Sequence, residues 1–396
     1  MPPTPRQSRY ESLDVWRGVA CLLVVLFHSS LYLANEGFDA RVRADGGSAF
    51  EWVLVAVGRF WVGVPLFFVI SGYCIAASAD AVRAEPGGVG RYFVRRARRI
   101  YPPLWAALAL AVAVTFLLPP FARPGATAEG MIPLGPPTHM GVWQWVGNLT
   151  LTESWRAPLA GTPSGYVLAQ LWTLCYEEQF YLVVGAILLV ARRWFFPGVW
   201  LVTALVLFNL SSLNPYPFRA VGVFTDGLWV AFAAGVAAYY RLNHAPPALG
   251  VVIELALVAF GAAAIAGDAN PLDPRQTLAK YSAVACGFAA LLCRLRRSDA
   301  ALAAARWAAP LRFCGRMCYS LYLTHPLVAV PVAWLCFRAG LTTPAATVLV
   351  TLPLFTLLAV ALGHALHRVV ERRFLRAPTA ARPGEMPTPP PALRTA

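Results

Sequence analysis

The chain reads as an all-α, polytopic transmembrane helix bundle of about ten helices with both termini cytoplasmic, and three observations predict it. Of its 396 residues 58% are hydrophobic and only 13% charged, with a mean hydropathy of +0.57, far outside the soluble globular range. Apolar stretches long enough to cross a bilayer recur along the whole length. The basic residues concentrate between alternate stretches, as the positive-inside bias requires of cytoplasmic loops.

The stretches lie at about 16–34, 58–79, 101–118, 166–190, 198–213, 220–240, 248–266, 277–293, 315–336 and 345–366. The first follows Arg6 and Arg9, includes Arg17 and lacks a small-residue cleavage site, so it is expected to span rather than to be removed as a signal peptide. With a cytoplasmic start, the inner loops carry Arg91, Arg95, Arg96, Arg98 and Arg99, then Arg192 and Arg193, then Arg241, then Arg294, Arg296 and Arg297, and finally Arg368, Arg372, Arg373 and Arg376. That arrangement favours an even number of spans. The one long connection, 119–165, is rich in Pro and Gly and carries His139, Trp143, Trp145 and Trp155. It is expected on the outer side, either as a partly ordered lid or as part of an interfacial aromatic belt. Residues 1–376 read as one integral membrane domain and 377–396 as a Pro-rich, disordered cytoplasmic tail.

The net charge of +14 does not imply a nucleic-acid partner, because the arginines are spread over helix ends instead of forming one basic surface. Topology and the headgroups of the lipid bilayer account for them. The eight cysteines sit in or beside apolar helices and are read as small hydrophobes. Cys314 and Cys318 share a helix face, but no nearby His or carboxylate completes a ligand set, so no metal is expected.

Chemistry enters with Leu13-Asp14-Val15-Trp16-Arg17-Gly18 and the run ending Phe27-His28-Ser29. Eleven helical steps make about three turns and a rise of about 16 Å, so Arg17 and His28 face one way at different depths. An ionisable group inside a spanning helix costs about 2.5–3.5 kcal/mol and therefore lines a cavity or finds a partner; otherwise Arg17 snorkels and His28 is a packed interior group. Phe67-Phe68-Val69-Ile70-Ser71-Gly72-Tyr73 combines a hydroxyl with a glycine that permits close helix packing. Five arginines crowd residues 91–99, and Arg96 and Arg99, one turn apart before Ile100-Tyr101-Pro102, suit phosphate groups. The block Trp172-Thr173-Leu174-Cys175-Tyr176-Glu177-Glu178-Gln179-Phe180-Tyr181 puts two carboxylates in an apolar helix, with Arg17 or His28 as available partners. Tyr319-Ser320-Leu321-Tyr322-Leu323-Thr324-His325-Pro326 offers a second histidine, either as a pocket wall or as a satisfied group at a proline kink.

Taken together, these five motifs in this order resemble the acyltransferase 3 family of integral membrane O-acyltransferases, and they cover nearly the whole membrane region. The resemblance implies transfer of an acyl group, commonly acetyl, from cytoplasmic acyl-CoA to a hydroxyl of a cell-surface or exported glycan, in a bacterial cytoplasmic (inner) membrane. Some members carry a fused extracytoplasmic hydrolase-like domain that is missing from this sequence, which leaves transfer to the membrane domain or to a separate protein. On this resemblance His28 is the general base, which Glu177 orients or stabilises. Arg17, Arg96, Arg99, Ser71 and Tyr73 hold the donor, and Trp172, Tyr322 and His325 the acceptor. A thioester donor is already activated and needs no metal. Two other readings stand beside this one: acylation of a small metabolite such as a macrolide, and a transporter in which the same charges form a relay, although no inverted pair of broken helices supports the latter.

Overall fold

The computed structural model describes residues 10–30, 36–85, 87–117, 137–211, 213–218, 221–266 and 274–375. The predicted disordered tail, 377–396, and the Pro-rich start of the 119–165 connection, up to residue 136, lie outside the described residues. Among the described residues the regular structure is helical throughout. The helices are α1 (Leu13–Ser30), α2 (Glu36–Asp45), α3 (Ala49–Val57), α4 (Gly63–Val82), α5 (Gly88–Leu117), α6 (Val142–Thr150), α7 (Glu153–Ala160) and α8 (Leu171–Ala191). They continue with α9 (Phe195–Leu210), α10 (Leu228–Asn243), α11 (Pro247–Ala266), α12 (Pro274–Leu295), α13 (Asp299–Ala304), α14 (Ala309–Arg316), α15 (Cys318–Arg338) and α16 (Pro344–Leu375), the last including two π-helical turns.

Each of the ten predicted stretches overlaps a helix, yet among the described residues six segments are long and apolar enough to cross a bilayer: Ala49–Val82, Gly88–Leu117, Leu171–Leu210, Pro247–Ala266, Cys318–Arg338 and Pro344–Leu375. Two sources account for the difference from ten. The helices α8 and α9 run on through a short turn at Arg192–Trp194 and count as one segment. The other three predicted spans are α1, α10 and α12, which pack at the centre of the bundle: α10 lies against α4 and α12, and α1 against α4, α14 and α15. Of these, α10 is only 16 residues long, and a helix shielded from lipid by its neighbours needs neither the full length of a span nor a uniformly apolar surface. The 119–165 connection is in part helical, with α6 and α7 across its second half and Trp143 70% exposed.

Two glycine pairs bring the central helices together. A Cβ on Gly18 would lie 1.9 Å from the Leu311 carbonyl oxygen, and one on Gly315 would lie 1.7 Å from that of Asp14, so α1 and α14 touch backbone to backbone. Gly72 and Gly235 do the same for α4 and α10, at 2.1 Å from the Phe232 oxygen and 2.0 Å from the Val69 oxygen. Such close contact is how helices associate in lipid, where burial of apolar surface drives little. The entry to α1 is fixed by buried Asp299, which accepts from the backbone N–H groups of Glu11 (2.7 Å) and Ser12 (2.8 Å) and from Arg296 (2.6 Å). All eight cysteines are unpaired thiols, seven of them buried.

Candidate active site

Two cavities meet inside the bundle. The smaller, about 90 Å³, is lined by one face each of α4 (Phe67, Ser71, Cys74), α5 (Arg96, Arg99), α8 (Thr173, Glu177, Tyr181) and α15 (Cys318, Tyr319, Tyr322), with Arg17 from α1. The spacings of three and four residues that recur in these sets are those of a helix face, which is why motifs scattered in sequence converge. The larger, about 660 Å³, lies toward the ends of the helices that carry Tyr10, Asn243 and Phe374, and it adds Arg95 and Arg98. These are ends that the sequence reading places in the cytoplasm. Arg17, Cys74, Arg96 and Arg99 wall both cavities and form the neck between them.

At the neck, Arg17 donates to Asp14 (2.8 Å) and to the Cys74 sulfur (3.0 Å). Arg96 donates to Ser78 Oγ (2.8 Å) and lies 5.0 Å over the Tyr181 ring and 5.8 Å over that of Tyr92. Arg99, half-buried, has no ion-pair partner among the described residues. A cluster with more positive than negative charge, shaped as a passage, is suited to hold phosphate groups through guanidinium hydrogen bonds.

Glu177 does not pair with Arg17 or His28, which corrects the partners expected from the sequence. Its Oε1 accepts from Ser71 Oγ (2.6 Å) and from the Tyr181 hydroxyl, which stands under the Arg96 guanidinium. The register of α8 decides this: Glu177 sits one turn from Thr173 and one from Tyr181, level with Ser71 of α4, while Arg17 reaches back to Asp14 on its own helix. Glu178 is satisfied separately by the Tyr101 hydroxyl at 3.0 Å.

His28 meets His325 instead. The ring centroids are 4.9 Å apart, and His28 Nδ1 lies 3.0 Å from His325 Nε2. His325, fully buried, does not line the small cavity as a pocket wall; Tyr322 does, with its ring centroid 5.6 Å from that of His325 and its hydroxyl 2.6 Å from Thr173 Oγ1. His28 itself lines neither cavity, and the Tyr322 side chain links the chamber to the imidazole pair.

The remaining predicted positions divide. Ser71 lines the small cavity, and Gly72 beside it packs against α10, so the motif serves both purposes on different faces. Tyr73 lines the large cavity and stacks edge-on with Tyr10 (5.8 Å) and Tyr239 (5.2 Å). Trp172 lines neither and packs against Tyr176 at 6.0 Å. Three participants were not singled out in the sequence. Cys74 and Ser78 follow the Ser71 motif at helical spacing, which was the available signal. Gln170, whose Nε2 donates to the Leu323 carbonyl (3.1 Å), carried none. Among the described residues, no group of three or more His, Cys, Asp or Glu side chains gathers in a way that could hold a metal.

A family model described as an acyltransferase domain matches residues 10–364. The chain is 28% identical over 333 residues to the exopolysaccharide production protein ExoZ of Rhizobium meliloti, covering 81% of this chain and 91% of that one. It is 26% identical over 199 residues to the peptidoglycan O-acetyltransferase OatA of Listeria monocytogenes, covering 49% of this chain and 27% of OatA. It is 27% identical over 192 residues to regulator of hypoxia-inducible factor 1 of Caenorhabditis elegans, covering 46% and 34%. The matched region thus spans about a quarter of OatA's length and about a third of the Caenorhabditis elegans protein's. No solved structure matches. The matched model runs over all the motif helices, from Tyr10 to within α16, and takes in every residue that lines the small cavity and all of those that line the large one except Phe374 and Leu375; the chain belongs to the acyltransferase 3 family.

Proposed function

We propose that this multi-pass membrane protein transfers an acyl group, acetyl foremost, from cytoplasmic acyl-CoA to a hydroxyl of a cell-surface or exported glycan, acting in a bacterial cytoplasmic membrane with ten spans and both termini inside. The observation that carries the reading is the arginine-walled neck between a large cavity and a small apolar chamber that approaches His28 through Tyr322. The large cavity suits the phosphate-bearing end of the donor, and Arg17, Arg96 and Arg99 suit its phosphates. Phe67, Phe68 and Ile70 give the chamber apolar walls for a thioester and a short acyl group. A glycan acceptor is supported by the relatives named for peptidoglycan O-acetylation and exopolysaccharide production.

In this scheme His28 takes the proton of the acceptor hydroxyl as the oxygen attacks the thioester carbonyl. The carbon–sulfur bond breaks, and the proton returns to the leaving thiolate, so the donor departs as free thiol. General-base assistance of this kind is worth about 10²- to 10⁴-fold in rate. The test is release of free coenzyme A from acetyl-CoA by the purified protein in nanodiscs, with and without polysaccharide acceptors. Wild type is expected to release it in an acceptor-dependent manner and His28→Ala at least about 100-fold more slowly. Equal, acceptor-independent rates overturn the reading.

A further inference from the structure

Pro326 has no N–H, so the carbonyl of Tyr322, four residues earlier in α15, lacks its intrahelical donor. His325 Nδ1 occupies that place at 2.7 Å, and Gln170 Nε2 approaches the same oxygen from the start of α8 at 3.4 Å. A carbonyl only accepts, so His325 Nδ1 carries a proton, and in a neutral imidazole Nε2 is then bare. No carboxylate hydrogen-bonds to either ring among the described residues; His325 is fully buried and His28 partly so, the His28 ring has a second neutral acceptor in the Val24 carbonyl, and an uncharged pair avoids burying a charge with no counter-ion.

The bare Nε2 of His325 lies 3.0 Å from Nδ1 of His28. Two nitrogens at that distance share one proton, and His325 Nε2 has none to give, so the proton belongs to His28 Nδ1. What is left on His28 is the lone pair of Nε2.

We propose that His325 is a positioning residue: anchored to the carbonyl that Pro326 leaves free, it holds His28 as the Nδ1–H tautomer and so reserves His28 Nε2 for the acceptor hydroxyl. The inference rests on the reading of His28 as base. When His28 Nε2 takes the acceptor proton, the imidazolium keeps donating through Nδ1 to His325, so its charge is met by an oriented neutral ring. A carboxylate commonly fills this place in hydrolase triads, where it fixes the tautomer of the base without itself becoming protonated. Here a backbone carbonyl fixes the first ring and that ring fixes the second.

The test reads tautomers and turnover separately. Full-length protein labelled with ¹⁵N-histidine in nanodiscs is compared as wild type, His28→Gln (to assign the signal), His325→Gln and His325→Leu. In wild type the His28 signals are expected to show a protonated Nδ1 and a bare Nε2. Glutamine at 325 still offers an oxygen opposite Nδ1 and is expected to keep turnover within about tenfold, whereas leucine removes the acceptor and lowers turnover by about 10²- to 10⁴-fold with the donor KM unchanged. A wild-type His28 protonated on Nε2 overturns the proposal, as do wild-type turnover in His325→Leu and equal losses in both variants. The wild-type spectrum decides on its own if a variant does not fold. Full turnover in His28→Gln would instead remove the base reading, while the spectrum would still report the tautomer.

Discussion

Arg17 and His28 lie on one helix, yet the first sits in a neck shared by two cavities, tied to a carboxylate and a thiol, and the second sits against another imidazole with no carboxylate bonded to either ring among the described residues. The arginine end gathers charge where a large cavity can hydrate it. The histidine end is arranged by directional hydrogen bonds between neutral groups. Coulomb attraction tolerates imprecise placement and weakens with salt, whereas a hydrogen bond between two rings depends on which nitrogen holds the proton. The difference suggests a division of labour on α1, with affinity for the donor at one end and proton transfer at the other.

The sharpest way to break this division is His28→Gln, for which we expect kcat to fall by about 10²- to 10⁴-fold with the donor KM unchanged; a KM defect would place donor binding at the wrong end. At the other end, Arg99→Ala removes a guanidinium that has no ion-pair partner among the described residues. Its hydrogen bonds to a charged ligand are worth about 1.5–3 kcal/mol, so the donor KM is expected to rise about tenfold or more while kcat holds, and the salt dependence of KM to flatten. A fall in kcat alone would undo the assignment of this residue.

Glu177→Gln should have a smaller effect. Glutamine can accept from Ser71 and Tyr181 as the carboxylate does, so turnover is expected to stay within about threefold and donor KM to fall slightly as the neck gains net positive charge. A hundredfold loss of turnover would return Glu177 to the proton-transfer chemistry that the sequence reading gave it. Leu201→Ala on α9, 61% exposed, should change thermal stability by less than about 0.5 kcal/mol and leave both kinetic constants alone, which calibrates the other three.

The helices and the common face of Arg17 and His28 were legible in the sequence because hydropathy and a 3.6-residue period are local properties. The convergence of Ser71, Arg96, Glu177 and Tyr322 on one chamber was legible through the family's motifs. Which side chains meet across helices was not. Glu177 was matched to the wrong cations because the relative register of helices such as α1 and α4 is set by backbone contacts such as Gly63 against Ala20, and these leave no mark on hydropathy. His325 was read as a pocket wall or as a satisfied group at a kink, and the structure favours the second in an unexpected form. A histidine directly before a proline, three residues after a tyrosine whose carbonyl that proline orphans, is a local signal that could have been read. Its partner on α1 could not.

The shared wall of Arg17, Cys74, Arg96 and Arg99 has a further consequence for fidelity. Under the proposed function, a donor whose phosphates rest on those side chains would also stopper the chamber behind them and keep bulk water from the activated carbonyl for as long as its nucleotide end stayed seated. A truncated thioester that lacks that end would leave the passage uncorked, and more of its acyl groups would be lost to hydrolysis before an acceptor arrived.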